Sequence, residues 1–409
     1  MTPLSEALAA VRARCRALPA EEVALADAAD RFLTAPVVAP FDLPAADISM
    51  MDGYALRAAD AGRFLTVAME IAAGDPPPAR PLAPGEAARI FTGAPVPQGA
   101  DCVAMQEHCL REGGGVRLDP AHPVRPGLHL RRRGEEVAAG AQLLAAGTLL
   151  RPAELALAAA CGRAVVPVHR RPRIALLATG DELVPLGTEP SPGQIIETNS
   201  VQLAQLAREA GAEWSFLGIA SDDVAAISRK LRDADADLLI TTGGASVGDH
   251  DHAQEALASL GGELVFHSVA IRPGKPILFG AAAPLAAGAM AGRARLVFGL
   301  PGNPAANMLG FELFVRPAAR ILSGDPRPAR QVLRAILRGA PLARVPGLTF
   351  FPRGRLAAEG SRLVFSPGGQ QSSMQIGSFA AANAIAQIPP GEGRIEPGEE
   401  IPVLLLGAL

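Results

Sequence analysis

The stretch Asp237-Leu238-Leu239-Ile240-Thr241-Thr242-Gly243-Gly244-Ala245-Ser246-Val247-Gly248 decides the fold. An apolar run of strand length ends in two hydroxyl residues and a glycine pair, and an amphipathic segment over 253–260 follows. A continuously apolar strand that feeds a helix through a tight turn belongs to a parallel sheet covered on both faces. Paired glycines let backbone N–H groups converge on an anion, the Thr242 and Ser246 hydroxyls add donors, and a helix N-terminus adds partial positive charge. The bland alternative is a plain strand-to-helix turn. It loses ground because hydroxyls flank the glycines at the expected C-terminal edge of the sheet, where open α/β sheets bind ligands.

Outward from this stretch the alternation continues. Strand candidates at 174–178, 215–219, 264–266 and 296–298 are interleaved with helix candidates at 201–210, 224–234, 253–260 and a long one at 303–322. Repeated βα units predict an open, mostly parallel sheet with helices on both faces. Upstream, residues 4–18 are apolar at helical spacing, with Ser5 as a candidate cap. From about 64 the texture becomes short runs between Gly and Pro (64–71, 88–91, 102–106, 116–118), which reads as a small β-rich module. A helical segment with Leu155, Leu157 and Ala160 then returns, so the module is inserted between two pieces of one helical layer. The Ala/Gly-rich piece 281–292 reads as a loop insertion, and after Gly324-Asp325-Pro326 strand candidates at 332–337, 363–365, 384–388 and 401–406 predict a C-terminal all-β domain. The expected architecture is α/β and multi-domain. Domain I, helical and linking, takes 1–45 and 138–170; domain II, the β-rich insert, 46–137; domain III, the α/β sheet, 171–323; and domain IV 324–409.

Composition narrows the classes of function. A chain of 409 residues needs several cores. With 38 Lys+Arg against 41 Asp+Glu, no global field favours nucleic acid or an anionic membrane, and any anion site must be local. Cys15, Cys102, Cys109 and Cys161 lack C-x-x-C spacing and are too few for a disulfide framework, which points to a reducing cytoplasm. The N-terminal residues show no signal-peptide pattern, and apolar stretches fall well short of the ~20 residues of a membrane helix. Positive charge is almost all arginine; Lys230 and Lys275 are the two lysines and Tyr54 the single tyrosine, which suggests positions where Arg or Phe would not serve.

Two further loops follow strands and are expected on the same sheet edge: Thr179-Gly180-Asp181-Glu182, which brings carboxylates, and Gly299-Leu300-Pro301-Gly302-Asn303-Pro304, a rigid turn whose Asn303 is placed to cap the next helix. Arg272-Pro273-Gly274-Lys275-Pro276 is a fourth, with Lys275 as an oxyanion ligand. Carboxylates recur at Glu182, Asp222 and Asp251, and in the β-module at Asp52 and Glu136, and hard oxygens of this kind suit Mg²⁺. Each acid alone reads equally well as a solvated turn residue, and Asp222-Asp223 as an N-cap for a helix beginning at Val224. His250 and His252 lack a third ligand at zinc spacing. Arg131-Arg132-Arg133 is either a solvated face or an anion clamp. Neither a dinucleotide fingerprint nor a P-loop is present, since Pro276 follows Gly274-Lys275, and no Ser-His-Asp or Cys-His pairing stands out.

Seven ordered motifs resemble those of the molybdopterin molybdotransferase family, MoeA and the gephyrin E domain: Ser49-Met50-Met51-Asp52-Gly53-Tyr54-Ala55, Thr92-Gly93-Ala94-Pro95-Val96-Pro97, Arg131-Arg132-Arg133-Gly134-Glu135, Thr179-Gly180-Asp181-Glu182-Leu183, the loop 242–248, Pro273-Gly274-Lys275-Pro276 and the loop 299–304. The resemblance implies a homodimer whose domain III binds the pterin while domain II of the other subunit closes the cleft. It implies a reaction that joins molybdate to the dithiolene of adenylylated molybdopterin and releases AMP, with Mg²⁺. Carried over position by position, Thr242, Gly243, Gly244, Ser246 and Gly248 hold the pterin phosphates. Glu182, Asp222 and Asp251 serve the metal and the nucleotide, and Asp52 and Thr92 face them from the partner subunit. Pro301 and Pro304 shape the pocket, and Arg272, Lys275 and Arg132 stabilise oxyanions. Molybdopterin adenylyltransferase and molybdoenzyme chaperones are the further partners it implies. Two positions depart from the usual pattern: Glu136 stands where many members carry Asp, and Arg272 where Lys is frequent. The rival readings are an adenylyltransferase acting earlier on molybdopterin, which the inserted and C-terminal β domains speak against, and a peptide-binding scaffold like the gephyrin E domain.

Overall fold

The Leu238–Thr242 strand lies inside a six-stranded sheet with the spatial order Glu213–Ala220, Arg173–Thr179, Leu238–Thr242, Arg295–Leu300, Leu278–Ala282, Glu263–Phe266. The computed structural model describes residues 1–243, 252–284, 293–369, 371–375 and 377–407. Contacts divide the chain into two units, Met1–Glu22 with Asp30–Thr34 and Pro167–Leu409, and Val23–Ala29 with Ala35–Val166.

In the first unit the four leading strands of the sheet run parallel, and each of the last two runs antiparallel to the strand before it. Side chains alternate between faces along a strand, and the two cores show it. Ile174, Leu176, Leu238 and Ile240 pack with Leu203, Leu206, Phe311 and Phe314. Ala175, Leu177, Leu239 and Val297 pack with Ile227, Leu231, Ala256 and Leu257. Helices therefore cover both faces, and Leu238, Leu239 and Ile240 are wholly buried, each contributing roughly 1.5–3 kcal/mol of apolar burial. At the entry to the central strand Asp237 accepts a two-pronged bond from Arg170 at 2.8 and 3.0 Å and a third from the Arg173 N–H at 2.8 Å.

Some boundaries differ from expectation for local reasons. The first helix runs Leu4–Arg14 after Pro3, so Ser5 lies inside it and does not cap it; Cys15 is extended and the Leu18 N–H bonds the Leu322 carbonyl instead. The long C-terminal helix is Pro304–Gly310, a π turn Phe311–Val315 and Arg316–Leu322. The π turn sits just ahead of Pro317, which has no N–H to give back to the preceding turn. Leu278–Ala282 is a strand although Leu-Phe-Gly-Ala-Ala lacks β-branched residues. Its Gly280 allows the close packing, since a Cβ there would meet the Glu263 carbonyl oxygen at 2.6 Å. Most of the loop expected at 281–292 lies outside the described residues.

The C-terminal part of this unit is a closed barrel of Val332–Leu337, Arg362–Pro367, Arg353–Glu359, Ala384–Ala386 and Glu400–Leu405, filled by Ala335, Leu337, Leu356, Phe365 and Val403. The second unit carries its own six-stranded sheet in the order Cys102–Met105, Gly53–Leu56, Glu86–Ile90, Phe64–Ile71, Gly115–Leu118, Cys109–Glu112, and a helix Pro152–Ala160. No helix among the described residues is long and apolar enough to cross a membrane.

Candidate functional site

Register fixes where the loops of the first unit emerge. Thr179 pairs with Ala220, Ala178 with Thr242, and Thr242 with Leu300, so four parallel strands end at one level and their loops share one edge. The loops are tied to one another by backbone and side chain. The Gly180 N–H donates to the Ala220 carbonyl (3.2 Å), the Gly243 N–H to the Leu300 carbonyl (3.2 Å), and the Asp222 N–H to the Asp181 carboxylate (3.3 Å). Thr179 Oγ1 donates to the Thr242 carbonyl at 3.2 Å. Asn199, the first residue of the helix Asn199–Glu209, donates from Nδ2 to the Gly302 carbonyl at 2.9 Å and pins the 299–304 turn.

Gly243 is required at its place. Its φ is +91°, and a Cβ would lie 2.3 Å from the Thr179 carbonyl oxygen. Thr241 and Thr242 are buried, and neither hydroxyl has a partner among the described residues. Buried hydroxyls are almost always bonded, and consecutive strand residues face opposite sides of the sheet, so it is Thr242, the last residue of the strand, whose hydroxyl a polar ligand at this edge would complete. Glu182 and Asp222 are exposed on the same edge, and Asp223 takes the capping role, accepting from the Ala226 N–H at 2.8 Å. That frees Asp222 for other work. Gly244, Ser246, Gly248 and Asp251, like His250, lie outside the described residues.

The loop 272–277 reaches the edge by a different route from the one expected. Ile271–Arg272 pairs with Thr349–Phe350, away from the main sheet, and the chain then enters Leu278–Ala282, whose Leu278 is in register with Gly299. An antiparallel strand begins where its parallel neighbours end, which brings Lys275 to that level. Arg272 and Lys275 are exposed, and the Arg272 guanidinium lies over the Phe350 ring at 5.5 Å. Asn303 occupies the cap position without capping; its Nδ2 donates to Ser373 Oγ at 3.3 Å, and the Ala305 N–H donates to the Ser373 carbonyl at 3.1 Å. A barrel segment therefore steadies the Pro301–Pro304 turn, with Pro301 buried and Pro304 opening the helix.

In the second unit Asp52 and Thr92 are brought together across 40 positions of sequence. Asp52 Oδ1 accepts from both the N–H and the hydroxyl of Thr92, each at 2.8 Å. The Thr92 N–H and then its hydroxyl hold the Asp52 carboxyl below the usual range, with Arg89 adding attraction. The turn carrying Asp52 needs Gly53, because a Cβ would overlap the Ala104 carbonyl oxygen at 1.8 Å. The arginine run does not form an open anion clamp. Arg131 is paired with Glu136, Arg132 with Asp47 at 2.6 Å, and Arg133 with Asp42 at 2.6 Å.

Sequence reading missed Asn199, Ser373 and Arg89. Asn199 had a weak signal in Glu197-Thr198-Asn199-Ser200, a polar stretch opening a helix. Ser373 had none, since its role depends on where the barrel folds back. Among the described residues no group of three His, Cys, Asp or Glu is placed to hold a metal. Glu182 and Asp222 supply two hard carboxylates, which fits Mg²⁺, an ion that usually takes one or two protein carboxylates beside substrate phosphate.

Comparison with known proteins adds three matches along the chain. Residues 2–162 match the model described as MoeA N-terminal region (domain I and II), residues 175–321 a probable molybdopterin binding domain, and residues 327–406 the MoeA C-terminal region (domain IV). A molybdopterin molybdenumtransferase of Nostoc sp. is 39% identical over 386 residues, covering 92% of this chain and 86% of that protein. One of Bacillus subtilis is 35% identical over 399 residues, covering 94% and 90%. The crystal structure of a molybdopterin biosynthesis MoeA protein from Pyrococcus horikoshii superposes with a TM-score of 0.84 at 30% identity and full coverage of both chains.

Proposed function

The chain belongs to the molybdopterin molybdenumtransferase family, the MoeA proteins, and is a transferase of molybdenum cofactor biosynthesis; on that premise we propose that it joins molybdate to the dithiolene of adenylylated molybdopterin and releases AMP, at the edge where the loops after Thr179, Ala220, Thr242 and Leu300 meet. The observation that carries this reading is that single edge, which holds exposed carboxylates, a Thr242 hydroxyl without a partner among the described residues, and a turn that only glycine fits.

Thr242, Gly243, Gly244, Ser246 and Gly248 are the residues assigned to the pterin phosphates; the Thr242 hydroxyl is the donor left open among the described residues, the Gly243 N–H being already given to the Leu300 carbonyl. Glu182 and Asp222, with Asp251, would hold Mg²⁺, and the ion would supply positive charge against the phosphoanhydride. Arg272 and Lys275 bring positive charge to the incoming molybdate, the Arg272 guanidinium resting over the Phe350 ring. Pro301 and Pro304 set the wall that Asn199 and Ser373 support. Molybdate is electrophilic at the metal and the dithiolene is the nucleophile, so positioning two anions and neutralising them are the protein's main tasks. No nucleophilic side chain is needed.

The protein acts as a cytoplasmic homodimer divided into the four domains 1–45 with 138–170, 46–137, 171–323 and 324–409. Asp52 and Thr92 of a second copy complete the site. Arg132 contributes there only by exchanging Asp47 for substrate.

The test is release of AMP from adenylylated molybdopterin with Mg²⁺ present. Addition of molybdate should accelerate release, and removing divalent ions with a chelator should stop it. A rate indifferent to molybdate would overturn the reading.

A further inference from the structure

Arg89 lies outside every motif singled out above, yet its side chain is built around the Asp52 turn. It sits on the strand Glu86–Ile90, directly opposite Tyr54 on Gly53–Leu56. Its guanidinium lies 4.7 Å from the Phe91 ring centre and 5.3 Å from that of Tyr54, within cation–π reach of both. Both of its hydrogen bonds then end on the segments that hold Asp52. Nη1 donates to the Gly53 carbonyl at 3.0 Å, and Nη2 to Gln106 Oε1 at 2.6 Å. Gln106 in turn donates its backbone N–H to the Asp52 carbonyl at 3.0 Å. Thr92, three residues beyond Arg89, donates to Asp52 Oδ1 from both its N–H and its hydroxyl. Oδ2 has no hydrogen-bond partner among the described residues, and Asp52 is exposed.

We infer that Arg89 is a positioning residue for the proposed reaction: it clamps the turn from Asp52 to Gly53 so that Asp52 Oδ2 is presented to the ligand in one orientation. The inference rests on the proposed function for what that ligand is. The clamp itself follows from the contacts of Arg89. Arginine is the residue for it because a planar fork can lie against aromatic rings and still give two divergent bonds, whereas an ammonium is a point charge on a flexible stem. Arg89 does not touch the reacting atoms; its effect passes through Asp52. The Asp52 carboxyl is held below its usual range first by the two Thr92 hydrogen bonds, and the Arg89 charge adds a smaller attraction in the same direction.

Two variants of the full-length protein separate the parts of this role. R89Q removes the charge and shortens the fork; R89K keeps the charge and loses the fork. Because misplacing a catalytic group by ~1 Å costs on the order of 100-fold, R89Q should lower kcat by about 10- to 100-fold with less than about a threefold change in KM. Carbon-13 NMR of the Asp52 carboxyl should show it titrating higher in R89Q than in the wild type. R89K should restore the titration but not the full rate. An unchanged rate, or an unchanged Asp52 titration in R89Q, would overturn the inference. If R89Q does not fold, Q106A carries the same test, since it keeps both rings and the charge and removes one anchor; a wild-type kcat in Q106A then refutes the clamp. The titration needs no turnover. A shifted Asp52 in a protein whose AMP release ignores molybdate would keep the clamp and sink the reaction assigned to it.

Discussion

Replacing Gly243 by alanine tests whether the glycine at the end of the central strand is dictated by geometry. The residue has φ +91°, a left-handed conformation that costs an L-residue roughly 1–2 kcal/mol. The new methyl group would stand 2.3 Å from the Thr179 carbonyl oxygen and 3.0 Å from Thr179 Oγ1. Ordinary contact begins near 3.4 Å, so backbone must retreat by about 1 Å. Thr179 is itself a ladder residue, and overpacking of this kind costs about 1–3 kcal/mol. The sum is about 2–5 kcal/mol if the fold absorbs the strain. If the loop moves instead, a ~1 Å displacement predicts an AMP-release rate about 100-fold lower. Urea unfolding followed by circular dichroism reads the first outcome and single-turnover AMP release the second. Gly302→Ala is the control, because its Cβ would meet Gly243 Cα at 3.6 Å, in ordinary contact, and should change stability by less than about 1 kcal/mol. A Gly243→Ala protein with wild-type unfolding midpoint and wild-type rate would refute the argument.

Arg170→Ala strips the guanidinium from a carboxylate that is 2% exposed, and breaking such a pair costs about 3–5 kcal/mol; denaturant titration should show it, while the folded protein keeps its activity because Asp237 lies at the far end of the strand from Thr242. Thr92→Val removes the hydroxyl bond to Asp52. Since the Asp52 carboxyl is depressed in the folded protein, its contribution is full above the unfolded value near ~3.9 and fades as pH falls through the lower folded value, so wild type and variant should differ in thermal stability at pH 7 and converge below about pH 4. A difference independent of pH would remove Asp52 from the account. Burial pushes the Cys15 and Cys102 thiols up to about 12 and Cys109 to about 11, so native protein at pH 8 should react sluggishly with Ellman's reagent and the denatured chain rapidly at four thiols; fast native reaction of all four would contradict the described packing.

The sequence alone determined what depends on neighbours in the chain. Leu238-Leu239-Ile240 must be a strand buried on both faces, because a run without polar alternation has no side to show to water, and the glycine after Thr242 announces a turn that other residues cannot make. The loops at Glu182, Asp222 and Pro301 could be assigned to one edge for the same reason, since each follows a parallel strand. Tertiary structure decided the rest. The strand Leu278–Ala282 has no local β signature and exists because Gly280 fits against Glu263 and Leu257, and its antiparallel course delivers Lys275 to the edge. Arg131, Arg132 and Arg133 looked alike in sequence and became three separate ion pairs only once Glu136, Asp47 and Asp42 were folded beside them. Asn199, Ser373 and Arg89 act through partners far away in the chain: Asn199 through Gly302, Ser373 through Asn303, and Arg89 through Gly53. Periodicity is a local property and is written in the sequence; a hydrogen bond between segments is a property of the packing that brings them within 3.5 Å.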